Sequence, residues 1–188
     1  MQIFGRRRSR GTHRSMVRGR KNPLYFGLAL RLRQARRQSG LKRLPLAEKA
    51  GLAAATERDI ETGQRLPTVG TIASLASALS VSAGWLAYGL GDVQAATRAA
   101  TTVGMGARLQ AVRLHQGHTK AALARLVGLS PTALANIEKG AQSGVEVIEA
   151  LAHTLGISPT WLAFNQEPQV VLSRRRGRPS APSTTHAG

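Results

Sequence analysis

Residues 31–63 recur 77 positions later as residues 108–140, and this internal repeat limits the possible folds more than any other feature of the chain. Arg31, Leu32, Arg36 and Gly40 fall on Arg108, Leu109, Arg113 and Gly117. Leu46, Ala47, Gly51, Leu52, Ile60, Glu61 and Gly63 fall on Leu123, Ala124, Gly128, Leu129, Ile137, Glu138 and Gly140. After one deletion the offset becomes 76, and Val69, Ile72, Leu75, Leu79, Ser82, Trp85 and Leu86 fall on Val145, Ile148, Leu151, Leu155, Ser158, Trp161 and Leu162. Apolar and glycine positions dominate the matches, as a shared core and shared turns require. The fold must therefore be one small unit built twice.

Each unit reads as five short helices. In the second, a basic amphipathic helix over residues 107–116 closes at Gly117, and Thr119 caps a helix running to Val127. Gly128 supplies a left-handed turn. Ser130 and Pro131 then open a helix that runs to Lys139 and stops at Gly140. Ser143 and Glu146 have capping-box spacing before the apolar stripe Val147, Ile148, Leu151 and Leu155. Ser158-Pro159 opens a last short helix holding Trp161 and Leu162. The first unit follows the same plan near residues 24–39, 45–50, 54–62, 69–79 and 83–88. The expected organisation is all-α: a basic arm (1–23), a first domain (24–91), a linker or helical extension (92–103), a second domain (104–166) and a basic tail (167–188).

The formal net charge is +18 over 188 residues, a surplus that suits a polyanionic partner. It is unevenly placed. Residues 1–23 carry eight basic and no acidic residues, and Arg174, Arg175, Arg176 and Arg178 follow Ser173 with no acid. The two units between them are more balanced than the arms: residues 24–90 sum to +5 and residues 104–168 to +1. Both arms are expected to be disordered without DNA. The N-terminal arm reads as a groove-entering segment, a phosphate-tracking segment or a translated leader before an alternative start at Met16. The tail contains Arg-Gly-Arg-Pro at residues 176–179, which reads either as a generic basic tail or as an AT-hook core, with Arg176 and Arg178 in a narrow minor groove. With no cysteine, disulfides, thiol catalysis and cysteine–zinc sites are excluded. No apolar run reaches membrane-spanning length, and the arginine-rich start is no secretory signal, so a cytoplasmic, nucleoid-associated location is expected. His115 and His118 straddle Gly117 with no further ligand nearby and read as solvated turn residues, so neither a metal nor a cofactor is expected. Glu48, Glu57 and Glu61 come with no nucleophile or phosphate loop, and an enzyme is not expected. Trp85 and Trp161 read as core or interface packing.

The stretches RLRQARRQSG, LAEKAGL, IETG and ALSVSAGWLAYG, and again RLQAVRLHQG, LARLVGLSPTALANIEKG and ALAHTLGISPTWLAF, resemble the Cro/cI-like (XRE) helix-turn-helix family, over about 130 residues. The resemblance implies two tandem five-helix lambda-repressor-like domains and a transcriptional regulator that binds double-stranded DNA. In that family the third helix of each domain enters the major groove. Carried onto this chain, the reading positions are Pro131, Thr132, Ala133, Ala135 and Asn136 in the second unit, with Ser130 and Lys139 as further DNA-binding residues beside them. In the first they are Ala54, Ala55, Thr56, Arg58 and Asp59. Asn136 can pair with adenine, and Thr132 can contact a thymine methyl or a base edge. Arg43 and Lys120 stand where the family has a phosphate-binding glutamine. Ion pairs Arg36–Glu61 and Arg113–Glu138 are implied as structural. The first unit departs from the pattern: Asp59 would face phosphates, and Glu57 occupies the apolar position held by Leu134 in the second. That requires a local shift of the helix, or an exposed or paired Glu57.

Three functions are compatible with this reading. One is a sequence-specific regulator, most simply a repressor. Another is a protein-interaction regulator (an anti-activator) that has lost operator reading, and the third is an architectural binder with little sequence preference. Double-stranded DNA is the expected partner, with a second copy of the chain, RNA polymerase or another regulator as further candidates.

Overall fold

The computed structural model describes residues 23–94 and 101–166. The basic arms, with Arg176, Arg178 and the hook-like segment, lie outside the described residues. Ten helices follow one another: α1 (Pro23–Gln38), α2 (Arg43–Lys49), α3 (Ala54–Glu61), α4 (Val69–Leu79), α5 (Ala83–Tyr88), α6 (Met105–His115), α7 (Lys120–Leu126), α8 (Pro131–Glu138), α9 (Val145–Thr154) and α10 (Pro159–Phe164). They form two five-helix units whose cores use equivalent residues. Leu32, Leu46, Ile60, Ile72, Leu75 and Leu86 are fully buried in the first unit, and Leu109, Leu123, Ile137, Ile148, Leu151 and Leu162 are buried in the second. Trp85 and Trp161 are partly buried against these cores.

Local chemistry sets the helix ends. The hydroxyls of Thr119, Ser130 and Ser158 accept the backbone N–H three residues on, at 3.1, 3.0 and 3.4 Å. Gly51 and Gly128 turn the chain between the second and third helix of each unit with φ of +66° and +71°, a conformation that costs other residues a Cβ clash. The Ser143–Glu146 capping box does not form: the cap of α9 is Gly144, without a side-chain bond. Ser143 is instead drawn across to the other unit, where its carbonyl accepts the Val69 N–H at 2.9 Å. Neither side of the inter-unit segment is helical where described. Val93 is tied to α5 through the Ser82 N–H at 2.8 Å, and the Thr101 N–H reaches the Phe164 carbonyl at 3.4 Å.

The two units meet through equivalent residues. Thr68 and Gly144 form an antiparallel bridge. Val69 N–H donates to Ser143 O at 2.9 Å, and its counterpart Val145 N–H donates to Pro67 O at 3.2 Å. α5 packs on α10, with the Tyr88 and Phe164 rings 6.3 Å apart. Gly84 faces Thr160 so closely that a Cβ at Gly84 would collide with the threonine methyl. Thr68, Gly84 and Tyr88 each meet their own counterpart 76 positions on, and the Val69–Ser143 bond is matched by its exchange-related mate Val145–Pro67, which is the signature of a two-fold interface.

Candidate nucleic-acid interface

α8 buries Leu134 and Ile137 and leaves Thr132, Asn136 and Lys139 exposed. Their spacing of four and three residues puts them in one stripe on the helix surface. Pro131 and Ser130, also exposed, lead into it, while Ala133 and Ala135 are half-buried at its edges. The stripe thus offers a hydroxyl, an amide and a cation, with no acid among them. Asn136 carries both the donor and the acceptor needed for two bonds to an adenine edge.

α3 holds the same register as α8, with no local shift, but presents different chemistry. The matching stripe is Ala55, Asp59 and Thr62, with Ala54 and Arg58 exposed and Thr56 half-buried beside it. The Thr62 hydroxyl is spent on the Arg58 carbonyl at 2.9 Å. Arg58 lies 3.4 Å from the Asp59 carboxylate, so the two charges largely cancel at this surface. What in α8 is an amide is in α3 a carboxylate.

Behind each of these helices lies a buried ion cluster. In the second unit, Arg113 grips Glu138 with bonds of 2.6 and 3.2 Å and also donates to the His118 carbonyl at 2.8 Å. Lys120 lies 3.5 Å from the same carboxylate. In the first unit Arg36 grips Glu61 at 2.8 and 2.9 Å, and Arg33 and Arg43 each approach it at 3.3 Å. Sequence reasoning reached the Arg36–Glu61 and Arg113–Glu138 pairs but missed Arg33, Arg43 and Lys120 as members of the clusters. Arg43 and Lys120 remain 45% and 44% exposed, so each still has a face open to an anion.

Glu57 is neither exposed nor well paired. Its side chain is 0% exposed, with Arg36 Nε 3.8 Å away, beyond hydrogen-bond reach. Ionised, neither carboxylate oxygen has a hydrogen-bond partner; protonated, the group can donate to Glu61. Burial, that bond and the charge of Glu61 push it up to about 7, against the pull of Arg36 and Arg43. For Glu61 burial acts upward too, but hydrogen bonds from Arg36, Glu57 and Arg43 and the charge of Arg36 hold it well below the usual carboxylate range. The cost of the polar residue at the Leu134-equivalent position is met by a retained proton rather than by a full ion pair.

Part of the positive charge of each unit is structural. Arg31 donates to the Leu86 and Ala87 carbonyls at 3.0 and 2.8 Å, and its counterpart Arg108 donates to Leu162 at 3.0 and 3.1 Å, closing α5 and α10. Burial lowers both guanidinium pKa values from their ordinary value. His115 is exposed and His118 half-buried, and no group of metal-ligating side chains forms among the described residues. No helix among them is long and apolar enough to cross a membrane.

The helix-turn-helix family model matches residues 32–86 and again residues 109–162, more than half of the chain. The chain belongs to the Cro/cI-like (XRE) helix-turn-helix family, as two tandem copies, and is a DNA-binding transcription regulator. Comparison with curated proteins and with solved structures found no match.

Proposed function

We propose that this regulator binds a specific duplex sequence, that α8 chooses the bases, and that it acts as a repressor by occluding RNA polymerase. The observation that carries the base-reading part is the exposed Thr132–Asn136–Lys139 stripe on a helix anchored by Leu134, Ile137 and the Arg113–Glu138 pair. Rigid anchoring matters because bidentate base contacts tolerate little misplacement. Lys120, at the first position of α7, and Arg43, at that of α2, supply phosphate contacts that set register without reading sequence. The basic arms add salt-dependent affinity.

Selection of binding sites from random duplex DNA tests the reading. The expected outcome is a defined motif bound roughly a thousandfold more tightly than a scrambled duplex. Asn136→Ala and Thr132→Ala should each relax preference at a defined base by about 1–3 kcal/mol. Tight, motif-free binding that collapses with salt would replace this function with an architectural one. Absence of binding even at low salt would point to a protein partner.

A further inference from the structure

We infer that one copy of this chain spans two unequal half-sites of a single duplex, with the second half of its dimer built into the same polypeptide. This rests on the DNA-binding reading above and specifies the target. The central contacts between the units follow a two-fold pattern: Thr68 meets Gly144, Gly84 meets Thr160, Tyr88 meets Phe164, and the Val69–Ser143 bond is matched by Val145–Pro67, while Gln142 and Gln166 add bonds to Gly70 and Gly84 that lack a symmetric mate among the described residues. A two-fold axis therefore passes between α5 and α10 and through the Thr68–Gly144 bridge. The surface that a symmetric partner would use is occupied from within.

The same axis relates α3 to α8. B-form DNA has two-fold axes of its own, so a two-fold protein meets two half-sites in mirrored orientation. Chain length limits their spacing. Seven residues separate Glu61 from Thr68 and six separate Glu138 from Gly144. At an extended reach of about 3.5 Å per residue, the centres of α3 and α8 stand no more than roughly 60 Å apart. That admits half-sites one helical turn apart, about 34–36 Å, and excludes two turns.

The half-sites are unequal because the two stripes are. α8 presents Thr132, Asn136 and Lys139, whereas α3 presents Ala55, Asp59 and Thr62, with Asp59 turned to Arg58. The half under α8 is read base by base. The half under α3 is held through its backbone and tolerates substitution, yet it must be present at the right spacing.

The test uses the full chain and the duplex won by selection. Native mass spectrometry should give one chain per duplex. Inserting a half turn between the halves should weaken binding by roughly tenfold or more, because the second contact loses its effective concentration. Asp59→Asn should create a base preference in the tolerant half at the position mirroring the one lost in Asn136→Ala. A palindromic motif carrying two chains, or a single half-site indifferent to the insertion, would overturn this inference and leave the DNA-binding reading standing. Selection that returns no motif would instead remove that reading itself. Gly84→Leu, which drives a side chain into Thr160, adds a control. If far-UV circular dichroism shows the helices intact, it should reproduce the half-turn insertion's loss on the uninterrupted duplex; unchanged affinity would count against the inference, and an unfolded variant leaves the insertion result to decide.

Discussion

At Glu57 a carboxyl group sits where the second unit has Leu134, and the consequence is a pH-dependent stability. The folded chain keeps a proton on Glu57 up to about pH 7 that the unfolded chain releases near its ordinary value of 4.5. Stability therefore falls as pH rises through that window, with a slope of about 1.4 kcal/mol per pH unit for one proton. Glu61 has the opposite sign. Its lowered pKa contributes stability above the ordinary carboxylate value, and that contribution is lost as pH falls below it. Denaturant unfolding at pH 5, 6, 7 and 8 should show wild type losing stability up to about pH 7 and levelling off by pH 8. Glu57→Gln should remove most of the slope, and Glu57→Leu should raise stability at pH 8 by about 1–3 kcal/mol. In the second unit, Arg113→Met leaves the buried Glu138 carboxylate with only the half-exposed Lys120 and should cost about 3–5 kcal/mol at neutral pH.

At the scale of the helices, equivalent ends differ in ways that can be exploited. Ser80 closes α4 in the left-handed region at φ 55°, where the second unit has Gly156 at φ 66°. Ser80→Gly should therefore stabilise the first unit by about 0.5–1 kcal/mol and raise the thermal midpoint by a few degrees. Ser130→Ala removes the side-chain cap of α8 and should cost about 1 kcal/mol, without altering which bases are preferred. The helices themselves were legible because their signals are local. Thr119, Ser130-Pro131, Gly128 and Ser158-Pro159 each set an end through bonds made within four residues, and the apolar spacing set the buried faces. The shared carboxylates were only partly legible: Arg36 and Arg113 sit at matching positions, but Arg33 has no basic counterpart in the second unit. The failed capping box at Ser143 has the same origin. Its partner, Val69, lies on the other unit, and no local pattern announces a contact 74 positions away.

For the whole molecule, sequence reading goes no further than marking Trp85 and Trp161 as core or interface residues, and the pairing of the two units is the feature it could not supply. Tyr88 and Phe164 share their short helices with Trp85 and Trp161, and nothing in the spacing says which of these aromatics meet across the units. Phe164 is 1% exposed and packs where the units join. Phe164→Ala should cost about 3–5 kcal/mol, read by denaturant unfolding. If the units unfold together, the transition should move as one, and two resolved transitions would show that the interface does not couple them.

The fusion also shapes how such a regulator answers to its own abundance. A repressor assembled from two separate chains fills its site as the square of protein concentration when dilute, which gives a steep, threshold-like response. Here α3 and α8 are held together by one backbone and by the Tyr88–Phe164 and Gly84–Thr160 contacts, at any dilution. With one chain per duplex as inferred above, occupancy would climb in simple proportion to copy number, with a Hill coefficient near one, without two molecules first having to find one another.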